Sequence, residues 1–166
     1  MPITRSRKAK LSTEDSSDLS KARAAAVKLL ARRDFASTEL KQKLQDQGFE
    51  AGVLEEAVGE LNTDGALNDA RYAEHFVTHH AERGQGPVRI AALLRDQGLP
   101  NETIDAALAA GPDWRVRARE VRIRRFGLQG PATWPEKAKQ GRFLQYRGFS
   151  SDHIRAALGA DFDPNE

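Results

Sequence analysis

A five-residue phrase recurs in this chain at a spacing of 50, and little else in the sequence restricts its fold so strongly. Gln45-Asp46-Gln47-Gly48-Phe49 returns as Arg95-Asp96-Gln97-Gly98-Leu99 and again as Gln145-Tyr146-Arg147-Gly148-Phe149. Val53-Leu54, Thr103-Ile104 and His153-Ile154 follow at one common offset, then Ala57-Val58, Ala107-Leu108 and Ala157-Leu158. With no insertion between copies, one supersecondary unit is used three times, which predicts an array of repeats rather than one layered core. Arrays of this kind present surface to partners.

The repeated phrase has a local physical meaning. Glycine is the residue that enters the left-handed region after a helix without a Cβ clash. With Gly48 at that position, Leu44 and Phe49 become the hydrophobic pair of a Schellman ending, and Leu94 with Leu99 and Leu144 with Phe149 repeat it. A second amphipathic run follows each turn, as in Val53, Leu54, Ala57, Val58 and Leu61. A further helix precedes each pair. In the middle copy Asn68 reads as its N-cap, with Leu67 and Tyr72 placed as a hydrophobic staple. Gly84-Gln85-Gly86-Pro87 ends that helix and opens the next with Pro87 at N1. Ser37 reads as the N-cap in the first copy, and Thr133-Trp134-Pro135-Glu136 starts the middle helix of the third. The spacing predicts helices near 20–33, 37–47, 50–62, 68–83, 87–97, 101–110, 113–126, 135–147 and 151–158, and no strand. The fold class is therefore all-α, a curved and elongated tandem array of three three-helix repeats. The expected division is a disordered tail over 1–19, then repeats over 20–64, 65–111 and 112–160.

Composition narrows the function classes. The chain has 166 residues and no cysteine, so disulfides and thiolate metal sites are excluded, which fits a reducing, cytoplasmic setting. No apolar stretch reaches the ~18 residues of a membrane span, and the charged, Ser-rich start lacks the apolar core of a secretory signal. Charge is uneven: residues 1–64 carry 11 basic and 11 acidic side chains, 65–110 carry 4 and 6, and 111–166 carry 11 and 7. Arg115, Arg117, Arg119, Arg122, Arg124 and Arg125 crowd one helix, and Lys137, Lys139 and Arg142 follow on the next. For any single arginine a solvated face is the simpler account; the cluster as a whole points to an anionic partner.

No catalytic constellation emerges. Gly84-Gln85-Gly86 lacks the preceding strand and following Gly-Lys-Ser/Thr of a phosphate loop, and reads as a helix–helix turn. His75 and His79 have i,i+4 spacing, with His80 adjacent, but lack the glutamate of a His-Glu-x-x-His motif and further ligands. Asp64 and Asp69 flank a turn and serve capping; Glu55, Glu56 and Glu60 form a solvated face. Ser37 has no His-Asp pair to make it a nucleophile. The expectation is no enzyme, no catalytic or metal residue, and no cofactor. A helix-turn-helix DNA reader is also a poor fit. Glu50, Glu55, Glu56 and Glu60 would repel phosphates, the helix after Gly98 is nearly bare, and only Arg155 decorates the third. Nonspecific phosphate contact by the last repeat stays open.

The middle unit, Leu67-Asn68-Asp69-Ala70-Arg71-Tyr72-Ala73 with Phe76-Val77, then Gly84, Gly86-Pro87, Ile90, Leu94 and Gly98, resembles the bacterial RecX regulatory proteins. So do Leu29-Leu30-Ala31-Arg32-Arg33, Phe35-Ala36-Ser37, Glu39-Leu40, Leu44 and Gly48-Phe49 of the first unit. Lys139, Arg142-Phe143-Leu144, Arg147-Gly148-Phe149 and Ile154 of the third complete the pattern. The resemblance runs over about residues 20–160. Two features depart from it: His79-His80 stand where basic residues are common, and the segment 127–135 is longer and rich in Pro and Gly.

This resemblance implies a non-enzymatic modulator of the RecA recombinase, acting in DNA repair and the SOS response. Such a protein binds the RecA filament on single-stranded DNA and suppresses ATP hydrolysis, strand exchange and coprotease activity. The expected partner is that filament, including the single strand within it, with no membrane and a monomeric chain. Contact candidates are Arg122, Arg124, Arg125, Lys139, Arg142 and Arg147 of the last repeat, with Arg83, Arg89 and Arg95 of the middle one. The alternative is a nonspecific single-strand binder acting by competition for DNA, with Trp114, Trp134 or Tyr146 stacking on bases. For these three aromatics, core or staple roles are the simpler expectation.

Overall fold

A computed structural model describes residues 10–159, and every regular element among them is a helix. The first compact unit, described over residues 10–72, holds α1 (Thr13–Ser16), α2 (Leu19–Leu30), α3 (Ser37–Asp46) and α4 (Ala51–Thr63) and the first turn of α5 (Asp69–Glu82). α2, α3 and α4 pack mutually around Ala22, Ala26, Leu40, Leu44, Leu54, Ala57 and Leu61. On each helix these positions fall three or four apart, the stripe the periodicity predicts. Arg23 ties α2 to α4 at the surface through Glu60, at 2.7 Å, and Asp64.

The second unit, described over residues 73–159, continues α5 and adds α6 (Pro87–Asp96), α7 (Asn101–Ala109), α8 (Trp114–Phe126), α9 (Trp134–Arg147) and α10 (Ser151–Leu158). α6 packs on α7, and α8, α9 and α10 pack on one another over Ala118, Leu144, Phe149, Ile154 and Leu158.

The three glycine turns are as the echo implies. Gly48, Gly98 and Gly148 have φ of 107°, 82° and 96°. Each carries the same two bonds: glycine N–H to the carbonyl three back at 2.8–3.0 Å, and the next N–H to Leu44, Leu94 or Leu144 O at 3.1–3.3 Å. Both members of every hydrophobic pair are buried. Asn68 caps α5, its Oδ1 accepting from Arg71 N at 3.0 Å. α6 opens on Gly86 with Pro87 in its first turn, and α9 opens with a Thr133–Glu136 capping box.

Two expectations need correction. Ser37 is not the N-cap of α3. Ala36 occupies that position without a side-chain bond, and Asp69 supplies the acceptor instead, taking Ser37 N at 2.8 Å and Ser37 Oγ at 3.1 Å. The cap thus comes from the first turn of α5, 32 residues away, which no local pattern reveals. The tail expected over 1–19 lies outside the described residues up to position 9, and beyond that it is structured. Ser12 caps α1, accepting from Asp15 N, Leu11 packs against the core and lies over Gly48, and Ser16 O receives Glu50 N at 2.9 Å. The segment shows no apolar period because one leucine and a few hydrogen bonds hold it.

α6 and α9 meet end to end. Gly86 N donates to Arg147 O at 2.8 Å and Val88 N to Gly148 O at 2.9 Å. The donors left over at one helix start thereby satisfy acceptors left over at another helix end, with opposite partial charges facing. The approach needs both glycines. A Cβ on Gly86 would sit 2.4 Å from the Gly148 carbonyl, and one on Gly148 would sit 2.3 Å from Arg89 Cβ.

Candidate functional site

The six arginines of α8 have separate fates, and these decide where free positive charge remains. Arg117 pairs with Glu120 at 3.1 Å, and Arg119 donates to Ala156 O at 3.3 Å. Arg122, expected as a surface contact, is only 4% exposed. Its Nη1 reaches Gln129 O at 3.2 Å and Gln140 Oε1 at 3.4 Å, and its Nη2 reaches Leu128 O at 3.5 Å. It is a clamp that holds the Pro/Gly-rich segment after α8 against the helices, because α8 turns its Ala118–Arg122 stripe inward. Arg115, Arg124 and Arg125 are exposed.

Arg124 and Arg125 help form a hollow of about 120 Å3. Arg83 and Gly84 contribute from the end of α5, Val121 from α8, and Phe143 and Arg147 from α9. Each element presents its residue for a local reason. Gly84, at φ 83°, ends α5 and lets the chain turn beside Val121, whose Cγ2 lies 3.5 Å from where a Cβ would be. On α9, Phe143 and Arg147 share a face at i,i+4 spacing. The aromatic floor also organises the charge. Phe126 and Phe143 meet edge to face at 5.3 Å, with the Arg125 guanidinium 5.6 Å from the Phe126 centroid and that of Arg147 5.3 Å from the Phe143 centroid. A guanidinium held over a ring keeps its N–H edge for a ligand. Among the described residues, Arg83, Arg124, Arg125 and Arg147 form no ion pair with a carboxylate. The adjoining dip toward Arg117 does carry acid, from Glu82 and Glu120.

The remaining candidates fall outside the hollow. Arg89 is exposed and lies 5.9 Å from the centroid of the Tyr146 ring. Arg95 is exposed and donates Nε–H to Asn101 Oδ1 at 3.2 Å. Lys139 and Arg142 are exposed on α9. Of the three aromatics, Trp114 packs in the core and donates Nε1–H to Leu108 O at 3.2 Å, and Trp134 is 48% exposed. Tyr146 is 77% exposed, so its ring is no core or staple residue.

The histidines take ordinary places. His80 stacks on Phe76 at 4.0 Å between centroids and lies 2.6 Å from Gln85 Oε1 through Nδ1. Burial holds its pKa below the ordinary histidine value, outweighing the Gln85 bond, and the charges of His79, Arg83 and Arg89 push the same way. Among the described residues, no three His, Asp or Glu side chains gather as metal ligands. No described helix is long and apolar enough to cross a membrane. Broader depressions of about 490 and 480 Å3 flank the exposed side of α2, around Ala24, Lys28 and Val27. The first is lined by Lys21, Lys28, Arg32 and Gln47, with Lys21 paired to Asp15, and neither depression has an aromatic wall. The small hollow, with four arginines and Phe143, is the better candidate.

Family models match the chain three times in order: the first three-helix domain of RecX over residues 22–61, the second over 68–108 and the third over 116–158. The regulatory protein RecX of Halorhodospira halophila is 46% identical over 145 residues, covering 87% of this chain and 90% of its own. That of Xanthomonas axonopodis pv. citri is 41% identical, over 83% and 86%. The crystal structure of RecX from Lactobacillus salivarius superposes with a TM-score of 0.76 at 22% identity, over 89% of this chain and 96% of that one, a likeness of fold.

Proposed function

Because the chain belongs to the RecX family of regulatory proteins, we propose that it binds the RecA filament on single-stranded DNA and restrains it. The restraint covers ATP hydrolysis, strand exchange and coprotease activity. The protein acts as a non-enzymatic, monomeric regulator in the cytoplasm, with repeats bounded near 20–64, 65–111 and 112–160. The observation that carries this reading is the ordered match to all three RecX domains, supported by relatives that are themselves named regulatory proteins. The arginine hollow and the exposed basic residues of α9 supply a surface for an anionic partner.

The test is a titration of purified chain into RecA filaments on single-stranded DNA while ATP hydrolysis is followed. Substoichiometric chain slows hydrolysis, because one bound array spans or ends a filament and so acts on several subunits. Inhibition that sets in only when the chain saturates the DNA would replace this reading with competition for the strand.

A further inference from the structure

We infer that the hollow formed by Arg83, Arg124, Arg125 and Arg147 is a phosphodiester-binding subsite, and that Tyr146, which precedes Arg147 on α9, is a stacking platform for a base of the same single strand. The inference deepens the filament reading by naming where the strand itself is touched. Three observations carry it. First, four guanidiniums, one from the residue that follows α5 and three from α8 and α9, border one hollow without a carboxylate partner among the described residues. Guanidiniums match phosphate oxygens with paired N–H donors, and two of these are already oriented over phenyl rings.

Second, the hollow is small. About 120 Å3 is well below the ~300–1,000 Å3 of pockets that enclose whole ligands. It suits one anionic group on a longer chain, with the rest of that chain running outside. Third, Tyr146 immediately precedes Arg147 and offers an aromatic ring 77% exposed with the Arg89 guanidinium 5.9 Å from its centroid. Pairing a basic groove with an open aromatic face is how single strands are held without sequence preference. An acidic peptide could answer the arginines, but it has no need of an open ring beside them. A strand uses both.

The experiment measures fluorescence anisotropy of a labelled oligothymidylate with the full chain, without RecA, from low to physiological salt. Wild-type chain binds, and its affinity falls with salt. Arg124→Ala with Arg147→Ala lowers affinity about tenfold or more at low salt and flattens the log–log salt slope by ~0.7 for each phosphate no longer neutralised. Tyr146→Ala lowers affinity about tenfold with the slope unchanged, and Tyr146→Phe restores it. Melting temperature is read for each variant, and Arg32→Ala, outside the hollow on the α2 side, serves as a control that binds as wild type.

No binding at low salt, or variants that bind as wild type, would overturn the subsite. A polyglutamate peptide that binds wild-type chain tighter than the oligonucleotide, and loses that binding in the arginine variant, would hand the hollow to an acidic protein surface. The hydrolysis titration separates the two readings. Chain that binds oligonucleotide through the hollow yet leaves RecA untouched overturns the proposed regulation alone, and inhibition by chain that binds no oligonucleotide overturns the subsite alone.

Discussion

Arg122 and Arg124 stand two residues apart on α8 and face opposite surroundings, one the protein interior and the other solvent. Arg122→Ala strips its carbonyl partners of their donor and frees the segment after α8, so urea unfolding should show a loss of about 1–3 kcal/mol. Arg124→Ala, which leaves no buried group unpaired, should stay within about 0.5 kcal/mol of wild type. Asp69→Ala removes the borrowed cap of α3 and should cost about 1 kcal/mol in the same measurement, with Asp69→Asn close to wild type. A pH effect follows from His80 and His153. Burial is the main cause that lowers both pKa values, reinforced for His80 by Arg83 and Arg89 and for His153 by Arg115; Gln85 opposes it at the first, Asp152 and Asp113 at the second. Since the folded values are depressed, the unfolded chain takes up protons first as pH falls. The stability these two residues contribute is therefore whole above the ordinary histidine pKa of about 6.5 and is lost as pH drops through the folded values. The melting temperature should fall from pH 7.5 to 5.5, and the fall should shrink in a His80→Gln, His153→Asn variant.

At the scale of the elements, two glycine substitutions of one kind should have opposite signs. Gly86→Ala would drive a methyl into the Gly148 carbonyl and break the α6–α9 joint, losing well over the ~1 kcal/mol that ordinary helix glycines govern. Gly59→Ala, in the middle of α4 with open space around it, should gain about 0.5–1 kcal/mol. Thermal melts of both variants check the contrast. Elements were legible where their causes are local. Gly48, Gly98 and Gly148, the Pro87 start and the Asn68 cap are each a few residues acting on their own backbone, and the sequence carries them in plain view. What escaped reading was tertiary. Arg122 is charged by type and buried by position, Ser37 has the right side chain for a cap but Asp69 reaches in from another helix, and the α1 segment has too few apolar residues to show a period. In the candidate site the basic character of the last repeat was readable. Which arginines converge was not, because convergence depends on where α5 ends relative to α8 and α9, and Tyr146 gave no sign in its own neighbourhood that its ring lies open.

At the scale of the molecule, and among the described residues, α8 and α9 carry more basic side chains without a carboxylate partner than α2 and α3 do. Lys139 and Arg142 are exposed on α9 and, among the described residues, have no acidic partner; Lys41 is paired with Glu55 at 2.8 Å. Lys139→Glu with Arg142→Glu should therefore weaken filament binding and inhibition at unchanged helicity and melting temperature. Lys41→Glu with Lys43→Glu should leave inhibition near wild type. Equal loss from both pairs would place the filament-binding surface elsewhere. The first repeat offers Ala36 where the second has Gly86, 50 residues on. A copy of the first repeat grafted into the middle position would thus bring a methyl group against the passing carbonyl of Gly148. The three repeats share one pattern, yet the Gly86–Gly148 approach gives the middle and last of them fixed seats, and a copy of the first repeat set there would require that joint to be reshaped.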